Sequence, residues 1–517
     1  MGALHPEGEF GLASDSEMEE AAESMYDDDD DDAGGMCSFD APSDDSNATS
    51  SDRLSFSSTD SCAHGAPTFD PQGGSPCQGD PQVLLRWPSL LLQALVLVLT
   101  TSELHCSLLV FPALQLTSHF TGIGTAEVAA DMLRSSINHA LGCNVKWAHL
   151  SCCDKSPKCR QILLRRPGLG CIFGNIAEYS RGLSQLMKQK SLDPDEAWEQ
   201  LQQHFALSGG FCHQHQQTCN HVAGHCDISG SPCQPWSRIG KERGRHDVRF
   251  ALTLCWILWV LTAMPWVAIH ENVIGFDKNV FEELLGAVYG IVHIIVLPGH
   301  MGYRFTSRPR LFTVLWLKAR VAMVHDIRVT YDRVSQVVRQ WQPELSTSSI
   351  YTGDQQLLLE VENAFRRKRN LPCLTEASSD WTYLLGKSET EHLQAYLTMW
   401  GAQRGTEPHT DTNCLFNLGQ NPNMRLSWTS RHGAMPTLTA ASRKLWSPYL
   451  GRWLIPSELA TAMGFNTGAS AQTGVPVDPS VDLYSYAILG NAMHVASVGG
   501  VLACALACLR PIDPVES

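Results

Sequence analysis

Strand-like and helix-like segments alternate from about residue 114 onward, and this alternation limits the fold more than any other feature of the sequence. LQLTSHF is an apolar strand pattern, followed by a turn with Gly122 and Gly124 and by the helical stretch AEVAADML. More strand-like stretches follow, separated by helical sequence: VKWAHLSCCD, CIFGNI, CDISGSPCQ and WVAIHENV. This alternation predicts an α/β fold with a doubly wound, mostly parallel sheet, which binds ligands at the carboxyl ends of its strands.

Charge and composition divide the rest of the chain. Residues 1–80 hold 20 of the 53 acidic residues and one basic residue, Arg53, so the remainder carries 33 acids against 37 bases. This composition predicts a disordered tail. An irregular stretch rich in Trp, Tyr and Asn, with the basic cluster Arg366–Arg369, predicts an inserted lobe. The predicted division is an acidic tail (1–80), an apolar lead-in segment (81–113), an α/β domain (114–320), an inserted lobe (321–450) and a return to the α/β domain (451–509).

The apolar lead-in segment requires a decision about membranes. Its longest uncharged part, Trp87 to Ser102, is shorter than the roughly 20 residues that span a bilayer. We expect an amphiphilic lead-in helix, or a stretch added by an error in exon assignment, rather than a membrane anchor. The start of the chain also lacks the pattern of a secretory signal peptide, so we expect its 18 cysteines to be reduced.

The first two strand-like segments end in residues suited to a nucleotide-like cofactor. The glycine turn after the first strand permits close approach of the backbone, and Asp154 ends the second strand, where a ribose hydroxyl is held in such folds. The turn lacks the full dinucleotide-binding glycine pattern, and an isolated aspartate after a strand is often a surface cap. From these residues alone, both interpretations stay open.

The fourth strand-like segment ends in a thiol on a restricted backbone. Pro232 precedes Cys233, and four basic residues follow it: Arg238, Lys241, Arg243 and Arg245. Nearby cations favour the thiolate, which is the nucleophilic form of cysteine. Glu271 and Asn272 end the next strand, so a thiol and a carboxyl group can meet over one substrate.

Ordered motifs over roughly residues 114–505 resemble those of the cytosine-5 DNA methyltransferases. The segments that carry the resemblance are FTGIG, GSPCQPWS, ENV, SRPRLF, RWLIPSELATAMGF and LGNAMHV, in unpermuted order. The resemblance implies a class I, Rossmann-like methyltransferase fold, with S-adenosyl-L-methionine as the cofactor. The inserted lobe at 321–450 falls where that family keeps its target recognition domain.

The resemblance also implies catalytic roles. Cys233 would attack carbon 6 of a cytosine flipped out of its stack, and carbon 5 would then take the methyl group before the cysteine is expelled. Glu271 would hydrogen-bond the ring nitrogen. Arg310 would hold the carbonyl oxygen of the base, with Arg308 supporting it. Asn272, beside Glu271, is grouped with these catalytic residues.

A second set of residues would bind the cofactor. The methionine end of the cofactor would contact the first glycine turn, Asp154 would bind the ribose, and Asn175 would bind the adenine. Pro232 would line the cofactor pocket and Asn491 would close it. The residues of the glycine turn are Phe120, Gly122, Ile123 and Gly124. The family usually has an aspartate at the place of Asn175, so we expect weaker cofactor binding. Thr306-Ser307 also replaces the usual Gln-Arg pair before the arginine motif.

These patterns are compatible with three functions. The one we expect is methylation of cytosine in DNA, with double-stranded DNA as the partner, nuclear localisation and no membrane association. The first alternative is RNA, because PWSRIG and ENVIGFD are also similar to the tRNA-methylating branch of the family. The Cys-Phe-Thr signature of that branch does not occur between residues 320 and 450, which favours DNA. The second alternative is a non-catalytic, cofactor-binding chromatin protein.

One segment is rich in residues of the types that bind zinc. FCHQHQQTCNHVAGHC contains Cys212, His213, His215, Cys219, His221, His225 and Cys226. Their spacings fit no standard zinc finger, and an ordinary helix is expected at this point of the fold. We therefore predict no metal site.

Overall fold

A computed structural model describes most of the chain beyond its acidic tail. The described residues are 81–100, 113–180, 182–207, 209–237, 242–342, 345–439, 445–467 and 485–512. The chain divides into two units, residues 1–73 and 74–517, and every described residue belongs to the second. The predicted tail (1–80) lies outside the described residues, as do residues 238–241 of the basic loop.

The helices and strands follow one another along the chain with these bounds. The strands are β1 (Gln115–His119), β2 (Ala148–Cys153), β3 (Leu169–Phe173), β4 (Gly210–Cys212), β5 (Gln217–Cys219), β6 (Cys226–Ser229), β7 (Val267–Asn272), β8 (Tyr289–Val296), β9 (Arg310–Leu317), β10 (Val321–Met323), β11 (Phe416–Asn417), β12 (Leu445–Ser447), β13 (Arg452–Trp453) and β14 (Leu509–Pro511). The α-helices are α1 (Trp87–Val98), α2 (Thr125–Leu141), α3 (Pro157–Leu164), α4 (Leu183–Leu186), α5 (Pro194–His204), α6 (Phe250–Ala263), α7 (Asn279–Leu285), α8 (Ile327–Trp341), α9 (Gln355–Lys368), α10 (Lys387–Arg404), α11 (Pro456–Ala462), α12 (Ser485–Asn491) and α13 (Val495–Cys508).

A nine-stranded sheet organises the larger part of the fold, in the order β5-β4-β3-β2-β1-β6-β7-β9-β8. β1, β2, β3, β6 and β7 are parallel, while β8 and β9 are antiparallel at one edge and the β4–β5 hairpin is antiparallel at the other. This arrangement confirms the predicted doubly wound, mostly parallel sheet. The strand order reverses at β1, between β2 and β6, and a crevice for ligands forms at such a switch point.

Helices cover both faces of this sheet because its central strands are buried on both sides. Along β7, Val267 and Ile269 belong to one hydrophobic cluster and Ala268 to the other, as the alternation of side chains along a strand requires. The first cluster includes residues of α1, α2, α8 and α13. The second includes residues of α5, α6 and α7. The carboxyl edge of the strands is thus held between two packed layers.

The apolar lead-in segment contains a helix that packs into the first of these layers. Trp87, Leu91 and Leu95 of α1 are fully buried, and α1 contacts α2, α8 and α13. The hydroxyl of Tyr303 donates a hydrogen bond of 2.9 Å to the carbonyl of Leu84, just before the helix. The apolar composition of α1 is explained by burial within the protein.

Another apolar stretch lies near the end of the described residues. Ile488–Cys508 is long and apolar enough to cross a membrane, by length and composition, but 94% of its most apolar window is buried inside the protein. Gly499 and Gly500 on α13 let Trp87 and Met301 approach the helix backbone closely. This stretch contains the end of α12 and all of α13, and its burial in the core accounts for its composition.

A smaller sheet, β11-β12-β13, belongs to the later part of the chain. A buried ion pair between Arg452 and Glu458 (N–O 2.7 Å) stabilises the turn from β13 into α11. At the predicted domain boundary after residue 320, β10 pairs with β14 and α8 packs on α1 and α13. Helix α8 therefore belongs to a layer that covers the larger sheet, and β10 lies beside it. The predicted boundary at residue 321 between the α/β domain and the inserted lobe stays a prediction.

The packing of α1 on α13 yields a stability prediction. A Cβ atom added at Gly499 would lie 2.0 Å from the ring of Trp87. Gly499→Ala should therefore lower the free energy of unfolding by about 1–3 kcal/mol, the usual effect of overpacking a core. Gly401→Ala is the control, because Gly401 lies in α10, where a Cβ would contact nothing within 4 Å.

The control should raise the free energy of unfolding by about 0.5–1 kcal/mol, because alanine loses less entropy in a helix. Urea denaturation of both variants measures the two changes. Equal effects of the two substitutions would show that α1 does not pack on α13.

Candidate active site

Cys233 lies in a tight turn after β6, at the carboxyl edge of the sheet. Its carbonyl accepts hydrogen bonds from the amides of Trp236 (3.0 Å) and Ser237 (2.9 Å). The carbonyl of Pro235 accepts from the amide of Gly244 (3.0 Å), which closes the base of the loop. The thiol is therefore carried on a short, hydrogen-bonded turn.

The residue before this Pro-Cys step is fixed by the neighbouring strand. The side-chain nitrogen Nδ2 of Asn272 donates to the carbonyl oxygen (3.2 Å) and to the hydroxyl (3.1 Å) of Ser231. That hydroxyl also contacts His270 Nε2 (2.8 Å) and accepts from Thr253 (3.0 Å). Asn272 is almost fully buried and lies behind the loop. It fixes the position of the loop that carries Cys233, and the catalytic role predicted for it stays a prediction.

Glu271 and Arg310 form an ion pair beside the thiol. Arg310 Nε lies 2.9 Å from Glu271 Oε1, where β7 and β9 run side by side. The second oxygen of Glu271 reaches over Gly230, since a Cβ there would lie 3.4 Å from it. A side chain at residue 230 would therefore be in van der Waals contact with this carboxylate. The structure brings Glu271 and Arg310 to the turn that carries Cys233.

Arg308 is buried and braces the site. Its Nη1 donates to the carbonyls of Leu438 (3.0 Å) and Gly490 (3.1 Å). It therefore joins the segment before β12 and helix α12 to the arginine loop. Burial and the nearby charge of Arg310 lower the pKa of Arg308 to about 9. This position fits the supporting role predicted for it.

The electrostatics of the thiol differ from the prediction. Burial, and then the charge of Glu271, raise the pKa of Cys233 above its ordinary value, while Arg310 and Arg308 lower it. Of the loop cations expected to activate the thiol, Arg245 binds Asp277 (2.8 Å) and Glu283 (2.6 Å) instead.

Arg243 donates to the carbonyl of Lys190 (3.0 Å), and Arg238 and Lys241 lie outside the described residues. The expectation of loop activation is wrong for Arg245, because two carboxylates neutralise its charge. For Arg243, which binds a neutral carbonyl, it stays a prediction. Among the described residues, Arg310 and Arg308 are the cations that most lower the pKa of the thiol.

The predicted cofactor turn adopts a special backbone conformation after β1. Phe120, Gly122 and Gly124 all have positive φ, at 54°, 59° and 85°. A Cβ at Gly122 would contact nothing within 4 Å, so the turn is open at this residue, whereas a Cβ at Gly124 would lie 3.1 Å from Leu163. Ile123 between the glycines is buried and anchors the turn in the core. Helix α2 begins directly after the turn and has no side-chain cap.

Asp154 holds this turn in place from the end of β2. Its two carboxylate oxygens accept hydrogen bonds from the amides of Gly122 (2.7 Å) and Ser156 (2.8 Å). Burial raises the pKa of Asp154. A carboxylate has about four lone-pair sites, so the predicted ribose contact remains chemically available. The role that the structure adds is shaping of the turn.

Asn175 follows β3, next to the end of β2. Its side-chain oxygen accepts a hydrogen bond from the backbone amide of Ala177 (3.0 Å), and its backbone amide donates to the carboxylate of Glu178 (3.0 Å). Asn175 therefore caps the short helix Ile176–Tyr179. Asn491 is exposed at the end of α12, one residue after the carbonyl that Arg308 binds, and Pro232 is half-buried.

A buried network that the sequence analysis did not identify lies beneath both groups. Asp227 on β6 is fully buried and contacts the hydroxyl of Thr117 (2.8 Å), His119 Nδ1 (2.8 Å) and the indole nitrogen of Trp256 (2.9 Å). The other ring nitrogen of His119 contacts the hydroxyl of Tyr179 (3.2 Å). Polar residues inside two otherwise apolar strand patterns were the available signal.

The cysteine- and histidine-rich segment also differs from the prediction. It forms the β4–β5 hairpin where an ordinary helix was expected. Three of its residues, Cys212, His215 and Cys219, lie with Cys171 of β3 in a group whose ligand atoms are all within 4.8 Å of one another. The prediction of no metal ligands rested on the spacing of residues within one segment. That spacing could not include Cys171, which comes from a strand far upstream.

Comparisons with known proteins return structures but no sequence families. No family model matches the chain, and no curated protein matches it. The Dnmt2 methyltransferase of S. pombe is 15% identical, with 76% of this chain and 97% of that chain covered and a TM-score of 0.37.

The Entamoeba histolytica methyltransferase EhMeth is 14% identical, with 76% and 97% covered and a TM-score of 0.38. A putative DNA modification methyltransferase encoded within an E. coli prophage is also 14% identical, with 76% and 98% covered and a TM-score of 0.38. At these values, functional conclusions depend on the residues of this chain.

The charges around Cys233 predict how its reactivity changes with pH. Glu271→Gln removes the negative charge that raises the pKa of the thiol, so the midpoint of alkylation by iodoacetamide should move to lower pH. Arg310→Gln removes a cation and should move it to higher pH. Mass spectrometry of the labelled peptide measures both shifts.

Exposed Cys373, labelled in the same reaction, is the internal control. Its labelling should respond to neither substitution. An unchanged midpoint for Cys233 in Glu271→Gln would contradict the placement of that carboxylate beside the thiol.

Proposed function

We propose that this protein transfers a methyl group from S-adenosylmethionine to carbon 5 of cytosine in DNA. The observation that carries the proposal is the grouping of three elements at one sheet edge. These are the Cys233 thiol on its braced turn, the Glu271–Arg310 pair beside it, and the open glycine turn after the adjacent strand. β1 and β6 pair directly, with His119 opposite Ser229, so the glycine turn and the thiol turn begin side by side.

The residues around the glycine turn fit the cofactor chemically. The turn exposes backbone without a side chain at Gly122, Asp154 offers carboxylate oxygens, and Asn175 follows the next strand. S-adenosylmethionine, when bound, supplies an electrophilic methyl group. The chain's own residues then have to bind it, orient the base and provide the nucleophile.

Cys233 provides the nucleophile in the proposed mechanism. Its sulfur forms a bond to carbon 6 of cytosine, and the electrons of the 5,6 double bond make carbon 5 nucleophilic. After methyl transfer, loss of the proton on carbon 5 restores the double bond and expels the thiolate. The cytosine must leave its stack to reach a thiol held in this way.

Glu271 and Arg310 act on the base during the attack. Glu271 accepts a hydrogen bond from the protonated ring nitrogen of the base. The guanidinium of Arg310 faces the carbonyl oxygen of the base. Both contacts stabilise the negative charge that the attack places on the ring. Arg308, bound to two backbone carbonyls, keeps the arginine loop in position. The pKa of the thiol is raised, so its proton is released to water when the sulfur bonds to carbon 6, and the proton later lost from carbon 5 is also released to water.

The first test replaces the nucleophile. Cys233→Ser should lower methyl transfer to duplex DNA by at least about a thousand-fold, because a neutral hydroxyl is a poor nucleophile, while S-adenosylmethionine binding is retained. Cys373→Ser, at an exposed cysteine, should keep full activity. Transfer of labelled methyl groups measures activity, and calorimetry measures binding.

The same proteins should be assayed on duplex DNA and on tRNA. Methylation of tRNA and not of DNA would show that tRNA is the substrate. Binding of S-adenosylmethionine without methyl transfer to either nucleic acid would indicate the non-catalytic alternative. DNA with 5-fluorocytosine should form a covalent adduct with the wild-type protein, since fluorine blocks the final elimination. An adduct that persists in Cys233→Ser would overturn the mechanism.

The second test concerns Asn175. Asn175→Asp should lower the dissociation constant for S-adenosylmethionine several-fold, because a charge-assisted hydrogen bond to the adenine amino group adds about 1 kcal/mol. The maximal rate should barely change, since this contact is equal in ground and transition states. Aspartate caps a helix as well as asparagine, so the capping contact to Ala177 is kept.

Asn175→Ala is the control for that cap and should lose about 0.5–2 kcal/mol of stability. Calorimetry on the variants decides the question. Unchanged affinity in Asn175→Asp would mean that Asn175 serves the helix cap only and does not contact adenine.

A further inference from the structure

Four side chains with metal-binding groups converge at the edge of the large sheet, away from the thiol turn. Cys171 lies on β3, Cys212 ends β4, His215 lies in the hairpin turn and Cys219 ends β5. Cys212 and Cys219 project from the same face of the hairpin, since Cys212 pairs with Gln217 and Cys219 with Gly210. The hairpin register therefore brings its two thiols together on the side facing Cys171.

The distances in this cluster are those of a tetrahedral site. His215 Nδ1 lies 3.7 Å from the sulfur of Cys171 and 3.4 Å from those of Cys212 and Cys219. A tetrahedral zinc ion, with Zn–S of about 2.3 Å and Zn–N of about 2.0–2.1 Å, places sulfur and nitrogen about 3.6 Å apart. The three observed separations lie on both sides of that value.

Hydrogen bonding does not account for this arrangement. An imidazole nitrogen has one lone pair or one N–H group, so Nδ1 can form an ordinary hydrogen bond with only one of the three thiols. Cys212 already accepts from the backbone amides of Ile172, at 3.4 Å, and of Gln214 and His215. Backbone donors directed at a sulfur favour its anionic, metal-binding form.

The hairpin is a small element at the outer edge of the nine-stranded sheet. Each of its strands has three residues, and Cys212 is the one side chain on them that is fully buried. The bridge from Phe173 to Cys212 and a hydrogen bond from the amide of His213 to the carbonyl of Ile172 (2.7 Å) join it to β3. Such a short hairpin has little core of its own, and structural zinc contributes folding free energy where a core is small.

We infer that Cys171, Cys212, His215 and Cys219 bind one zinc ion as a structural site. Three thiolates and one imidazole select a soft or borderline cation over magnesium, calcium and manganese. All four tetrahedral positions are taken by protein ligands, which is typical of structural zinc. The ion joins the hairpin to the strand that ends before Asn175, so it stabilises the sheet edge formed by β3, β4 and β5.

Metal analysis of the full-length protein, purified with zinc and without chelator, tests the inference. The wild-type protein should contain about one zinc ion per chain by mass spectrometry. Cys219→Ser and His215→Gln should each lose most of it. The matched controls are Cys373→Ser and His213→Gln, a cysteine and a histidine outside the group, and both should keep the zinc.

Cobalt gives a readout that does not require a stable variant. Wild-type protein loaded with Co²⁺ should show the visible absorption of tetrahedral cobalt and an ultraviolet thiolate-to-cobalt band, and zinc should abolish both. Wild-type protein without stoichiometric zinc and without cobalt absorption would overturn the inference. So would a disulfide between Cys212 and Cys219, or equal loss of zinc in His213→Gln and His215→Gln. Metal content is independent of methyl transfer, so this test and that of the proposed function fail separately.

Discussion

The carboxylate of Asp227 is the interaction on which the geometry of the site depends. It is fully buried, and removing a charge from water is costly unless several partners compensate for it. Its partners are Thr117 and His119 on β1 and Trp256 on α6, so a single residue of β6 joins two strands and a helix. The glycine turn follows β1 and the thiol turn follows β6, which means that the two groups of the proposed active site share one anchor.

Opposing charges act on the thiol of Cys233. Burial and Glu271 raise its pKa, while Arg310 and Arg308 lower it. Arg310 is bound to Glu271, so part of its charge is already neutralised. A neutral thiol is less prone to oxidation than a thiolate. In the proposed mechanism, a base that contacts both Glu271 and Arg310 would change the electric field at the sulfur.

Hydrophobic patterning was sufficient to predict the central part of the fold. The five parallel strands were identified because buried strands of a parallel sheet have apolar runs that end in short polar motifs, and Cys233, Glu271 and Asp154 were predicted at those ends. The partners of Arg243 and Arg245 could not be predicted, because Lys190, Asp277 and Glu283 approach them only in the folded chain. Cys171 was missed for a similar reason: it reads as an apolar strand residue, and its neighbours in space are distant in sequence.

The contact between Trp87 and Gly499 has a consequence for synthesis of the protein. Helix α1 comes first among the described helices and α13 last, yet they pack against each other in one hydrophobic cluster. During translation, the surface of α1 that packs on α13 therefore emerges long before α13 is made. Until then α2 and α8 are the described helices that can cover α1, and its contact with α13 forms late in synthesis.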